Sequence, residues 1–228
     1  MNLKLIKEII TKINKSKRNE EVFIEFPKDL DKFTSIILKF ILILKIKEKY
    51  LLKLPEKFTK ENFLITNILN FNLDFDGFIE TYDLSSNIKN IILFIVGELF
   101  DNIKEHSHSF DVYLALEKNE EILLGVFDNG ITIFNRYKEA GIKVKDYKEA
   151  IKKAIKGISA KSIEERGYGL KTIQKIVKNL GGKMFIFSGE AYAAIDNKEK
   201  ICDLNFYFPG TGVILSFPSV SKNLSEIL

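Results

Sequence analysis

The feature that most constrains this chain is a change of hydrophobic period near its middle. Ile88, Ile91, Ile92, Ile95, Leu99 and Ile103 recur at the three- and four-residue spacing of one helix face, with Ser85 or Ser86 as the N-cap. Directly afterwards Phe110 to Leu116 alternates apolar and mixed residues, Lys118-Asn119-Glu120-Glu121 turns, and Ile122 to Phe127 continues as a buried strand ending at Asp128-Asn129-Gly130. A long helix with one apolar face, followed at once by a hairpin, predicts an α/β fold. Later segments repeat both periods. Tyr147, Ala150, Ile151, Ala154 and Ile155 mark one helix, and Leu170, Ile173, Val177 and Leu180 another that Gly181-Gly182 closes. Lys183 to Ser188, Ala191 to Ile195, Ile201 to Phe208 and Val213 to Phe217 read as four strands.

Upstream, Leu3, Ile6, Ile9, Ile10 and Ile13 predict a helix, and Val22 to Phe26 a strand stopped by Pro27. A second helix starts at Asp29 or Asp31, a short strand covers Leu51 to Pro55, and a third helix is expected over Lys60 to Phe71. The turn-rich stretch Asn72 to Ser86 then reads as a connection. The expected organisation is a small α/β segment over 1–84, without a catalytic signature, and a second domain over 85–228.

Composition narrows the chemistry. With 228 residues, 46% hydrophobic and 29% charged, the chain has material for a core, which excludes global disorder and collagen. One cysteine, Cys202, forms no internal disulfide, and His106 and His108 are too few for a Cys/His zinc site. Chemistry therefore falls to carboxylates, amides, hydroxyls, lysines and backbone. The longest apolar run, Ile36 to Leu44, is broken by Lys39 and is too short to span a bilayer. The N-terminal residues lack a signal-peptide pattern, so a cytoplasmic protein without membrane attachment is expected. The net charge of +4 comes from 35 basic and 31 acidic residues interspersed along the chain, which disfavours a nucleic-acid partner.

Four clusters carry candidate chemistry. Glu98 and Asn102 are four residues apart on the long helix and stack on one side of it. A hard cation such as Mg²⁺ would take the Asn102 oxygen, and Glu98 could orient or deprotonate a nucleophile; a solvated pair at the core rim is the alternative. Asp128 could accept from an exocyclic amine, with Gly130 letting backbone approach a flat ring, or the pair could form an ordinary turn. In Arg166-Gly167-Tyr168-Gly169-Leu170-Lys171, glycines ahead of a helix leave amides free for phosphate oxygens, with Arg166, Lys161 or Lys171 adding charge, although turns and close packing use such glycines too. Last, Thr211 in Pro209-Gly210-Thr211-Gly212 could reach a base through a water.

In this order the clusters resemble the GHKL superfamily of ATP-binding domains, shared by gyrase B subunits, heat-shock chaperones, histidine kinases and mismatch-repair proteins. Glu98 to Ser107 looks like its N-box, Asp128 to Ile133 like its first glycine box and Arg166 to Leu170 like its second; the likeness spans Ser85 to Pro218. The resemblance implies a two-layer α/β sandwich of the Bergerat type: a mixed sheet covered on one face by helices, with ATP bound under a lid within Phe134 to Glu165. It further implies that Asn102 coordinates Mg²⁺ and Asp128 binds the adenine amine. By the same analogy Gly130 passes the ring, Gly167 and Gly169 meet phosphates within the stretch Arg166 to Lys171, Thr211 contacts the base and Glu98 is the general base. Thr132 departs from the pattern, standing where the first box has its second glycine, which could stiffen the loop beside the ring.

No histidine precedes His106, so an autophosphorylating histidine kinase is disfavoured. The expected function is a Mg-ATP-binding regulator resembling stand-alone anti-sigma-type serine kinases, a transferase passing the γ-phosphate to Ser or Thr of a protein partner. The alternatives are a nucleotide-responsive module that binds ATP without turnover, and an ATPase clamp of the gyrase or chaperone type. About ten residues follow Pro218, which leaves little for the clamp's usual transducer domain. The N-terminal segment could dock a partner or form a homodimer.

Overall fold

Side-chain caps start the first two helices. In the computed structural model, which describes residues 1–17, 20–27, 29–54, 62–158 and 169–219, Asn2 accepts the Leu5 N–H at 3.0 Å to open α1 (Leu3–Lys15). Asp31 accepts the Thr34 N–H at 3.0 Å to open α2 (Lys32–Lys47). A parallel pair, β1 (Glu21–Phe23) and β2 (Leu51–Lys53), completes this unit, which spans Met1–Glu61. Ile6, Ile9 and Ile13 form the buried stripe of α1, whereas α2 buries Ile36, Ile37 and Leu38 in succession and Phe40 to Leu44 after them.

The second unit, Asn62–Leu228, is built on one antiparallel sheet of order β3-β4-β5-β7-β6. Its strands are β3 (Phe63–Asn67), β4 (Asp111–Lys118), β5 (Glu121–Asp128), β6 (Lys183–Ile195) and β7 (Glu199–Pro218). Helices α3 (Phe71–Glu80), α4 (Ser86–His106), α5 (Ile133–Glu139), α6 (Tyr147–Ile155) and α7 (Gly169–Asn179) complete it. Ser85 caps α4, whose Ile88, Ile91, Ile92, Ile95, Leu99 and Ile103 share one core with Val112, Leu114 and Leu116 of β4 and Leu124 and Val126 of β5. Each such buried side chain contributes about 1.5–3 kcal/mol, an upper figure because unfolded chains already bury some surface. This is an α/β sandwich, helices packed on a sheet. None of the described helices is long and apolar enough to cross a membrane.

Several expectations are corrected. The segment expected as a helix over Lys60 to Phe71 is strand β3, although Lys60 and Glu61 lie outside the described residues. Phe63, Ile65 and Thr66 are aromatic or β-branched, and β4 offers them an open ladder from Phe63↔Ala115 to Asn67↔Asp111. The supposed connection 72–86 is largely α3, where Phe71, Phe75 and Ile79 enter the core and Phe71 stacks on Phe100 with ring centroids 3.9 Å apart. The division of the chain consequently falls ahead of Asn62 and not at Ser85. The sheet is wholly antiparallel among the described residues, not mixed. The four C-terminal strands merge into two long ones, because register shifts around Ser188, Gly189 and Ala191 let the ladder bend without ending.

Candidate functional site

Asp128 ends β5 in register with Val112, which places a carboxylate at the sheet's end beneath α4 and α7. It is only 2% exposed. Its Oδ1 accepts the Gly130 N–H at 2.8 Å, and the Thr211 backbone N–H also donates to it. No cation pairs with it among the described residues. Burial pushes its pKa up to about 7, outweighing the opposite pull of the two backbone donors.

The carboxylate lies in the wall of a cavity of about 130 Å³. Leu99, Ile103, Val126, Ile131, Leu170 and Val213 supply much of the apolar lining. That volume is close to the roughly 150 Å³ cavity that accepts a benzene ring. One flat ring fits, and anything attached to it must extend through the mouth.

Thr211 lines the cavity beside Asp128, with its Oγ1 3.3 Å from Ser188 Oγ. Ser188, 1% exposed, accepts the Ile133 N–H at 3.0 Å and donates to the Gly210 carbonyl at 3.1 Å. This hydroxyl ties the start of α5 to β7, a role that sequence reasoning missed. The available signal was a hydroxyl directly after the apolar run Met184 to Phe187.

At another part of the wall, Asn102 donates its amide N–H to the Glu98 carbonyl at 2.8 Å, and its Oδ1 accepts no hydrogen bond from the described residues. Both side chains face the first residue of α7: a Cβ built on Gly169 would lie 2.9 Å from Glu98 Oε2 and 3.2 Å from Asn102 Nδ2. A side chain there would crowd both groups. Burial raises the Glu98 pKa, and the neighbouring Asp101 charge adds to the rise. Among the described residues no three acidic, His or Cys side chains converge so that they could hold a metal ion. A cation at Asn102 would therefore need further oxygen atoms from its ligand, the habit of Mg²⁺ with phosphates.

The structure thus brings Asn102, Asp128, Gly169, Leu170 and Thr211 around one cavity, with Glu98 outside the lining and close to Gly169. Lys171 is exposed on α7 and does not line it. Arg166, Gly167 and Tyr168, together with Lys161, lie outside the described residues. Gly130 has a packing reason of its own: a Cβ there would stand 1.9 Å from the Ser107 carbonyl oxygen, so the glycine serves backbone packing against the end of α4. Ile131, the next residue, donates its N–H to that carbonyl at 2.6 Å and turns into the lining.

Thr132 is the N-cap of α5, accepting the Asn135 N–H at 3.2 Å from an extended backbone with φ −73°. The position needs a capping hydroxyl and has no need of a glycine. Of the expected lid, α5 and α6 pack onto the fold, with Tyr137 buried and Ala150 and Ile151 wholly so; 159–165 lie outside the described residues. His106, Arg136 and Tyr137 also line the cavity, unassigned by the sequence.

The arrangement can receive a flat ring that offers a donor to Asp128, and at Glu98 and Asn102 it presents oxygen atoms to a hydrated or cation-bound tail. No protein-family model matches the chain, and comparison with curated proteins returns no match.

Proposed function

We propose that this chain is a Mg-ATP-binding regulatory protein of the GHKL type, working in the cytoplasm on a protein partner. The observation that carries the reading is the Asp128 carboxylate, buried without a cation in the wall of a ring-sized cavity. A buried acceptor of this kind favours a ligand that returns a hydrogen bond, and the exocyclic amine of adenine supplies one. Thr211 stands beside it for the ring edge, directly or through a water.

Around the phosphates, Gly169 opens α7 with its amide end toward Glu98 and Asn102. The Asn102 oxygen suits Mg²⁺, and the cation would neutralise charge on the transferring phosphoryl group. Glu98, beside Gly169, has a raised pKa that improves it as a proton acceptor for an attacking hydroxyl. That feature favours transfer to Ser or Thr, or hydrolysis, over binding alone.

Calorimetric titration with a non-hydrolysable ATP analogue, with and without Mg²⁺, tests the reading. Binding that strengthens with Mg²⁺ and falls at least about tenfold in Asp128→Asn supports it, as expected for loss of a hydrogen bond to a charged acceptor. Absent or unchanged binding overturns it. Tight binding with no turnover of ATP would leave a nucleotide-responsive module in place of a kinase.

A further inference from the structure

A second concavity, of about 700 Å³, lies against α6. Five lysines line it, Lys145, Lys148, Lys152, Lys153 and Lys156. Two of its carboxylates are already engaged: Asp146 accepts the Glu149 N–H at 2.7 Å as the helix cap, and Glu149 accepts the Lys145 N–H at 2.8 Å and pairs with Lys153 at 3.3 Å. Lys148 pairs with Asp203 at 2.8 Å. Lys152 and Lys156 are exposed, and neither pairs with a carboxylate among the described residues.

Helix stability does not account for this arrangement. Lys148, Lys152 and Lys156 stand four residues apart on one ridge, where like charges repel. The helix dipole welcomes Lys152, Lys153 and Lys156 near the C-terminal end but opposes Lys145 and Lys148 at the N-terminal end. The inner face of the same helix holds Ile151 and Ile155 in the core, so the ridge is free to serve the surface.

We propose that this concavity docks an acidic segment of a protein partner. Its lysines offer charge complementarity, and Ile158 and Ile201 in the same lining offer apolar contact between carboxylates. Nucleic acid fits less well, because among the described residues no aromatic side chain lines the surface for base stacking. Ile158 also lines the cavity that holds Asp128, so a docked segment would touch a residue shared with that site. An acidic segment is the kind of partner through which the proposed regulatory role would act, and its docking can be read without nucleotide.

The test is fluorescence anisotropy at low salt with a labelled peptide of glutamates interrupted by isoleucines, its glutamine counterpart and a single-stranded oligothymidylate. The acidic peptide binds in a salt-sensitive manner, the glutamine peptide does not, and Lys152→Glu with Lys156→Glu lowers its affinity about tenfold or more at unchanged melting temperature. A lysine peptide of the same pattern binds this doubly substituted protein better than the parent. No binding of the acidic peptide, equal binding of its glutamine counterpart, an unaffected double variant, or tighter binding of the oligothymidylate to the same lysines overturns the proposal.

Discussion

The two ends of the Asp128 cavity are built by opposite means. At the Asp128 end a carboxylate is held by backbone, through the Gly130 and Thr211 N–H groups, and is sealed from water by its place in the sheet. At the Glu98 and Asn102 end two side chains one helical turn apart remain half-buried, and what they face is the first residue of another helix. Under the proposed function, the contrast gives recognition and turnover separate structural supports. A change at the sealed end would then alter which ring is held, and a change at the helical end what happens to the tail.

Four predictions break or sharpen that contrast. The largest effect belongs to Glu98→Gln: under the proposed function, turnover of ATP measured by phosphate release or transfer falls at least about a hundredfold, while calorimetric affinity for the analogue stays within about threefold. Equal loss of both would merge the two ends into one binding surface. Next is Gly130→Ala, whose Cβ would overlap the Ser107 carbonyl at 1.9 Å. Chemical denaturation should register a loss of about 1–3 kcal/mol or more. A neutral outcome would show that the Asp128 turn yields easily.

The third prediction concerns pH. Asp128 has a pKa of about 7 in the folded chain against an ordinary 3.8, so the folded state binds its proton more tightly than the unfolded state does. The stabilisation is fully present below the ordinary value and is lost as pH rises toward and through 7. Each unit of that rise corresponds to about 1.4 kcal/mol. Asp128→Asn keeps an acceptor for Gly130 without the charge, so its unfolding free energy relative to the parent should grow between pH 4 and 7 in ligand-free protein. Parallel slopes would refute the assigned ionisation. Nucleotide binding near pH 7 should also release protons, read as a dependence of the calorimetric enthalpy on the buffer, because the incoming amine favours the carboxylate. The smallest effect is Gly97→Ala on exposed α4 surface beside Glu98, where nothing lies within 4 Å of the added Cβ. It should stabilise by about 0.5–1 kcal/mol without changing affinity.

Much of the helical end was legible from residues near one another in the chain. The stripe from Ile88 to Ile103, the Ser85 cap and the stacking of Glu98 on Asn102 follow from helix periodicity, and α4 carries all three. The hairpin of β4 and β5 was equally plain, as was its termination at Asp128. The edge strand was not legible. Phe63 to Asn67 becomes β3 because β4, more than forty residues later, presents the ladder that these residues complete. The tie that the Ser188 hydroxyl makes was not legible for a similar reason, since its partners Ile133 and Gly210 are remote in sequence.

Sequence alone determined the local elements, their caps and the residue types available for chemistry, because periodicity and capping act over a few neighbouring positions. Only the tertiary structure decided that Gly169 would meet Glu98 and Asn102, that Gly130 answers to the Ser107 carbonyl, and that Asp128 would sit buried with a pKa near 7. Burial, and with it the ionisation of a carboxylate, depends on which distant segments exclude water from it, and no run of adjacent residues carries that information.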